Sequence, residues 1–307
     1  MVVSPPLPTG GPAPGVTEVK PGQFLMRAPT FIISILALFP PGPLAAEETA
    51  VHRDLPYAGT KNKRQTLNVY APTEGTRHPV AFWIHGGGWQ AGDKGEVDVK
   101  PAGFADKGYV FISVNYRLFP EATIKEMAGD VARALHWVHD HAGDYGGDSD
   151  MIFVTGHSAG AQLAALVCTD DRHLKAEGLS LSNIKGCVPV DGDTSDVPVQ
   201  VGTVEERRAR SYRQKFGDEA SQRELSPITH VAKGKGIPLF LILHVADHPE
   251  TRGQSQRLVK ALKEAGVSAR AYPAEGKNHG TINSDLGKPG DVPTMALFKF
   301  LDGALKK

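Results

Sequence analysis

The chain has 307 residues, enough for one large domain with a substantial core. Lys plus Arg and Asp plus Glu number 34 each, so the formal net charge is +0 and there is no basic footprint for nucleic acid or an anionic membrane surface. A hydrophobic content of 40% and a charged content of 22% exclude a disordered chain and fit an ordinary globular protein.

Residues 1–25 are rich in Pro and Gly without a period and are expected to form an unstructured extension. If translation starts at Met26, that extension lies outside the protein. Residues 26–46 carry one charge at Arg27, the short apolar run Phe31–Phe39 and the small residues Ala45 and Ala46, the order of a secretory signal peptide. The run is too short to span a bilayer comfortably, so a secreted or periplasmic protein without stable membrane insertion is expected. Residues 47–307 are then expected to form one folded domain.

Arg64–Tyr70 alternates polar and apolar residues and reads as an exposed edge strand. Val80–Ile84 and Tyr109–Asn115 are continuous apolar runs and therefore buried strands, with a short helical segment over Lys100–Lys107 between them. Glu121–His141 repeats apolar residues at helical spacing through Met127, Val131, Leu135 and Val138. Met151–Thr155 is the next buried strand, and Ala161–Cys168 is a wholly apolar helix. Strands over Ile184–Val190, Pro238–His244 and Val267–Tyr272 follow, with helices over Gln254–Ala265 and Thr294–Leu305.

Strand and helix in alternation predict an α/β fold: a mostly parallel sheet with helices on both faces, active groups gathering at the carboxyl ends of the strands. Residues 192–236, between two core strands, are a candidate cap insertion. Cys168 and Cys187 lie in apolar stretches and read as small buried hydrophobes, although export would permit a disulfide between them.

Gly156-His157-Ser158-Ala159-Gly160 fits Gly-x-Ser-x-Gly between a buried strand and an apolar helix. That context makes Ser158 a candidate nucleophile, lifted above the sheet by a strained turn. His85-Gly86-Gly87-Gly88-Trp89 ends an earlier strand, and its glycines free backbone N–H groups to face a developing oxyanion; Gly87, Gly88 and Ala159 are the candidate donors. A serine hydroxyl needs a general base held by a third group. His279, after the last strand, is the candidate base, and Asp247, directly past the strand before it, is preferred as the acid over Asp191. His136, His139 and His141 cluster near a helix C-terminus without an adjoining zinc signature, so neither a metal nor another cofactor is expected.

Together with Asn115-Tyr116-Arg117-Leu118 and Lys277-Asn278-His279, these motifs resemble the esterase/lipase branch of the α/β-hydrolase fold from about Asp54 onward. Within it, they are most similar to bacterial feruloyl-esterase-like and hormone-sensitive-lipase-like carboxylesterases. The resemblance implies a serine hydrolase that cleaves small-molecule or polysaccharide-linked esters, of short-chain acyl, acetyl or feruloyl type, through an acyl-enzyme. It implies Ser158, Asp247 and His279 as the triad. Trp89 departs from the hormone-sensitive-lipase pattern and keeps open an arylformamidase-like amide hydrolase with the same triad, since kynurenine-formamidase-like enzymes also place Trp after such a loop.

Overall fold

The computed structural model describes residues 49–306. The expected extension over 1–25 and signal peptide over 26–46 lie outside the described residues. Eight strands form one sheet: β1 (Thr49–Pro56), β2 (Thr66–Pro72), β3 (His78–Ile84), β4 (Val110–Val114), β5 (Gly147–His157), β6 (Ile184–Val190), β7 (Leu239–Val245) and β8 (Ala269–Ala274). Their order is β1-β2-β4-β3-β5-β6-β7-β8. Pairing is antiparallel from β1 to β2 and from β2 to β4, and parallel from β4 onward. This is the α/β-hydrolase sheet, parallel in its larger part with helices on both faces.

Strand pleating assigns alternate residues to opposite cores. Along β3, Val80, Phe82 and Ile84 enter the core built with α2 (Ile124–His141), α3 (Ala159–Val167), α4 (Asp171–Ala176) through Leu174, and α8 (Pro249–Glu264). Ala81 and Trp83 enter the opposite core, formed with α1 (Lys100–Ala105) and α10 (Val292–Leu305) through Phe104, Leu297, Phe298 and Leu301. Polar caps set several helix starts. Thr123 accepts from the Glu126 amide in a reciprocal capping box at α2, and Asp291 accepts from the Thr294 amide at α10.

Two expectations about the elements change. The Arg64–Tyr70 segment is not an edge: β2 is buried throughout, and β1, with His52, Arg53 and Asp54 exposed, covers its free side. Charged residues of that kind suit a sheet edge. Helix α8 begins five residues before the predicted start, at Pro249, because proline supplies the helical φ without needing its amide and His248 accepts from the Thr251 amide.

Residues 192–236 are largely helical, carrying α5 (Val197–Thr203), α6 (Glu206–Phe216) and α7 (Glu219–Glu224). Helix α6 packs on the Trp89 loop, with the Trp89 ring edge-on to Phe216 at 4.9 Å. The Trp89 indole Nε1 donates to Gln162 Oε1 (3.2 Å), and Gln162 Nε2 donates to the Leu225 carbonyl (2.9 Å). The segment is therefore joined to both α3 and the glycine loop. Cys168 and Cys187 are buried free thiols, not a disulfide. Among the described residues, no helix is long and apolar enough to cross a membrane.

Candidate active site

Ser158 occupies the turn between β5 and α3 with φ +56° and ψ −117°, a left-handed conformation that costs a non-glycine residue about 1–3 kcal/mol. The turn is held in place by its surroundings. The Ser158 amide donates to the Val190 carbonyl of β6 (2.9 Å), and the glycines on either side lie too close to other backbone to carry a side chain. A Cβ on Gly156 would lie 2.5 Å from the Gly160 carbonyl oxygen, and one on Gly160 would lie 2.2 Å from that of Ile84. The Gly-x-Ser-x-Gly pattern is thus a steric requirement of packing this turn on the end of β3.

The glycine loop touches the same turn. A Cβ on Gly86 would stand 3.2 Å from Ser158 Cβ, so the loop backbone lies directly against the serine. Gly87 and Gly88 have φ +111° and +60°, values that glycine adopts without strain. Their amides have no acceptor among the described residues. Ala159 is the first residue of α3, where a helix amide has no intrahelical partner.

His279 follows β8, one residue before the N-cap of α9 (Thr281–Ser284), and meets the serine turn through His157. The two imidazoles lie 4.4 Å apart, and His157 Nε2 donates to the His279 carbonyl (2.9 Å). Burial, followed by the neighbouring His279, pulls the His157 pKa down to about 3, so this ring is a neutral strut near neutral pH. His279 has a half-exposed side chain and a pKa above the ordinary histidine value. The hydrogen bond with Asp191 is the main cause of that rise, and it prevails over partial desolvation.

The acid that meets His279 is Asp191, not Asp247. Asp191 directly follows β6 in a left-handed conformation (φ +49°), and its side chain is 0% exposed. Its Oδ2 accepts from His279 Nδ1 at 2.6 Å, and its Oδ1 accepts from the Val245 amide at 2.9 Å. Burial pushes this carboxyl up, but the bonds from His279, the Val245 amide and the Thr251 hydroxyl outweigh it and leave the pKa below the ordinary carboxylate range. Asp247 lies in the exposed turn after β7, where the Ala246 amide bonds the Ala274 carbonyl and the His248 amide returns to Val245. Among the described residues Asp247 makes no hydrogen bond or ion pair with His279, whose Nδ1 is taken by Asp191.

Sequence reasoning also missed His157, Thr251 and Asp193. Asp193 Oδ2 accepts from Tyr212 Oη at 2.5 Å and from Arg208 at 3.3 Å, linking the acid turn to α6. The Asp191-Gly192-Asp193 sequence, directly after a buried strand, was the available signal. His136 and His139 both face Asp140, and His141 faces Asp144, on the exposed end of α2. Among the described residues, no group of three His, Cys, Asp or Glu side chains is placed to hold a metal ion.

The BD-FAE family model matches residues 67–262, spanning the glycine loop, Ser158 and Asp191. The chain belongs to the BD-FAE family. It is 27% identical over 237 residues to a probable isoprenylcysteine alpha-carbonyl methylesterase of Oryza sativa subsp. japonica, covering 70% of this chain and 54% of the relative. It thus spans about half the length of that methylesterase. It is 28% identical over 262 residues to the kynurenine formamidase of Danio rerio, covering 84% of each chain. The crystal structure of an inhibited esterase B from Lactobacillus rhamnosis superposes with a TM-score of 0.70 at 23% identity, over 84% of this chain and 88% of that one, and shares the fold.

Proposed function

We propose that this BD-FAE member hydrolyses carboxylic esters through an acyl-enzyme on Ser158, with His279 as general base and Asp191 as its orienting acid. The observation that carries this reading is the hydrogen bond that His279 Nδ1 donates to Asp191 Oδ2. It fixes the tautomer, leaving Nε2 bare to accept a proton. His279 takes the Ser158 proton as the hydroxyl attacks the ester carbonyl, and the Gly87, Gly88 and Ala159 amides receive the charge that develops on oxygen. The imidazolium protonates the departing alcohol; neutral again, it activates water against the acyl-enzyme, and the acid product leaves. The positive charge on His279 is stabilised throughout by the buried Asp191 carboxylate. Helices α5 to α7 serve as a cap over one side of the site, held by Trp89 and Gln162.

Labelling by a fluorophosphonate probe, together with p-nitrophenyl acetate turnover, tests the assignment. Wild type is expected to label and turn over, and Ser158→Ala to do neither; an unlabelled wild type overturns it. A second reading, formamide hydrolysis by the same groups, is favoured by similarity to the formamidase over 84% of both chains. Turnover of N-formylkynurenine that exceeds ester turnover would select it.

A further inference from the structure

Helices α1 and α10 enclose a groove of about 760 Å³, and neither Ser158 nor His279 lines it. Its walls are fixed. Phe104 of α1 meets Phe298 of α10 with 5.0 Å between ring centres, and a Cβ on Gly103 would lie 2.0 Å from the Gly287 carbonyl oxygen, so α1 rests directly on the loop that leads into α10. The one hydroxyl side chain in the lining is already satisfied: Thr294 donates to Asp291 Oδ2 (2.7 Å) and accepts from the Gly287 amide (2.9 Å). Pro289, Met295 and Phe298 make the wall apolar, and the volume falls within the ~300–1,000 Å³ of small-molecule sites.

Three of the four large apolar side chains exposed among the described residues stand on these two helices or at their starts: Val99 at the N-cap of α1, and Val292 and Met295 on α10. Exposed apolar surface gathered around a concavity and rimmed by charge marks a binding site. Lys107, Lys288, Lys299 and Lys306 line the groove, all exposed and none in an ion pair or side-chain hydrogen bond among the described residues. Two carboxylates share the lining, Asp106 and Asp302, and Asp302 accepts from Tyr109 Oη (3.3 Å). The four lysines outnumber the two aspartates, so an apolar groove carries a surplus of positive charge in a chain whose formal net charge is +0.

We propose that this groove binds a free fatty acid anion, its hydrocarbon tail along Met295 and Phe298 and its carboxylate among the rim lysines. The apolar wall asks for hydrocarbon and the surplus charge asks for an anion; a fatty acid joins the two in one molecule. A second copy of the chain fits less well, because a two-fold contact through this face sets the four lysines against their own copies. A bilayer fits less well too, because a flat leaflet meets only the rim of a concave groove.

Calorimetric titration of the full chain with octanoate, decanoate and dodecanoate, each below its micellar concentration, tests the site. Affinity is expected to rise about fourfold per added methylene. At low salt, decanoate should bind about two- to fivefold tighter than 1-decanol. Met295→Glu, at a position 53% exposed, should weaken decanoate by at least about tenfold and leave p-nitrophenyl acetate turnover within about twofold of wild type. Lys288→Glu combined with Lys299→Glu should abolish the preference for acid over alcohol, so a folding failure of one variant leaves the other to decide. Absence of saturable binding, affinity independent of chain length, or decanoate binding that survives Met295→Glu overturns the site. A dimer that Met295→Glu dissociates gives the groove to a second copy and overturns it as well. Binding to phosphatidylglycerol vesicles without binding to monomeric decanoate does the same.

Discussion

His279 Nδ1 and Asp191 Oδ2 lie 2.6 Å apart, while the second oxygen of the same carboxylate is occupied by the Val245 amide at 2.9 Å. The acid is therefore held by β7 although it is carried by β6. Asp191→Asn is expected to keep the fold and lower kcat/KM for ester hydrolysis by about 10³- to 10⁴-fold, the effect of losing the carboxylate that sets a catalytic histidine's tautomer. Asp247→Asn should stay within about twofold of wild type, as ordinary for an exposed residue away from the chemistry. Steady-state kinetics of the two variants side by side decide which aspartate acts.

The pH profile follows from the same pair. His279 accepts a proton only when neutral, and Asp191 raises its pKa above the ordinary histidine value. Activity should therefore appear as pH rises through a midpoint above 6.5, the usual histidine value. The more distant Asp193 charge contributes in the same direction, so Asp193→Asn should shift the acidic limb of kcat/KM downward. An unchanged limb in that variant would separate Asp193 from the base.

Two glycines predict opposite responses to alanine. Gly160→Ala drives a methyl group to 2.2 Å from the Ile84 carbonyl and 2.6 Å from that of His85. It should destabilise the fold by about 1–3 kcal/mol or more and displace Ser158. Gly129, inside α2, has nothing within 4 Å of the added carbon, and Gly129→Ala should stabilise by about 0.5–1 kcal/mol through helix propensity. Urea denaturation of both variants measures the pair.

Trp89→Ala removes the edge-on contact with Phe216 and the bond to Gln162. For a buried aromatic residue the expected loss is about 3–5 kcal/mol, with faster proteolysis within residues 204–218 than elsewhere. Limited proteolysis followed by mass spectrometry locates the first cuts.

The sheet's central strands were legible because a strand buried on both faces must be continuously apolar, as Val80–Ile84 is. Ser158 and the glycine loop were legible because close backbone packing leaves a mark in composition. The acid was not. Asp191 and Asp247 each follow a core strand, and the choice depends on where β7 stops and which way its turn leaves, a tertiary fact absent from local pattern. The β2 misreading has a similar origin. Its polar residues find partners inside, Asn68 Oδ1 accepting from the Asp54 amide of β1, so alternation did not mean exposure.

The contact of Gly160 with Ile84 and His85, together with that of Gly86 with Ser158, couples the serine turn and the glycine loop mechanically. Neither can shift without carrying the other, so the Ser158 turn and the proposed oxyanion donors of the glycine loop form one rigid die. Laboratory evolution of new specificities should therefore accept changes where α6 meets the acid turn, around Asp193, Arg208 and Tyr212, and reject them at positions 86, 156 and 160 whatever substrate is selected.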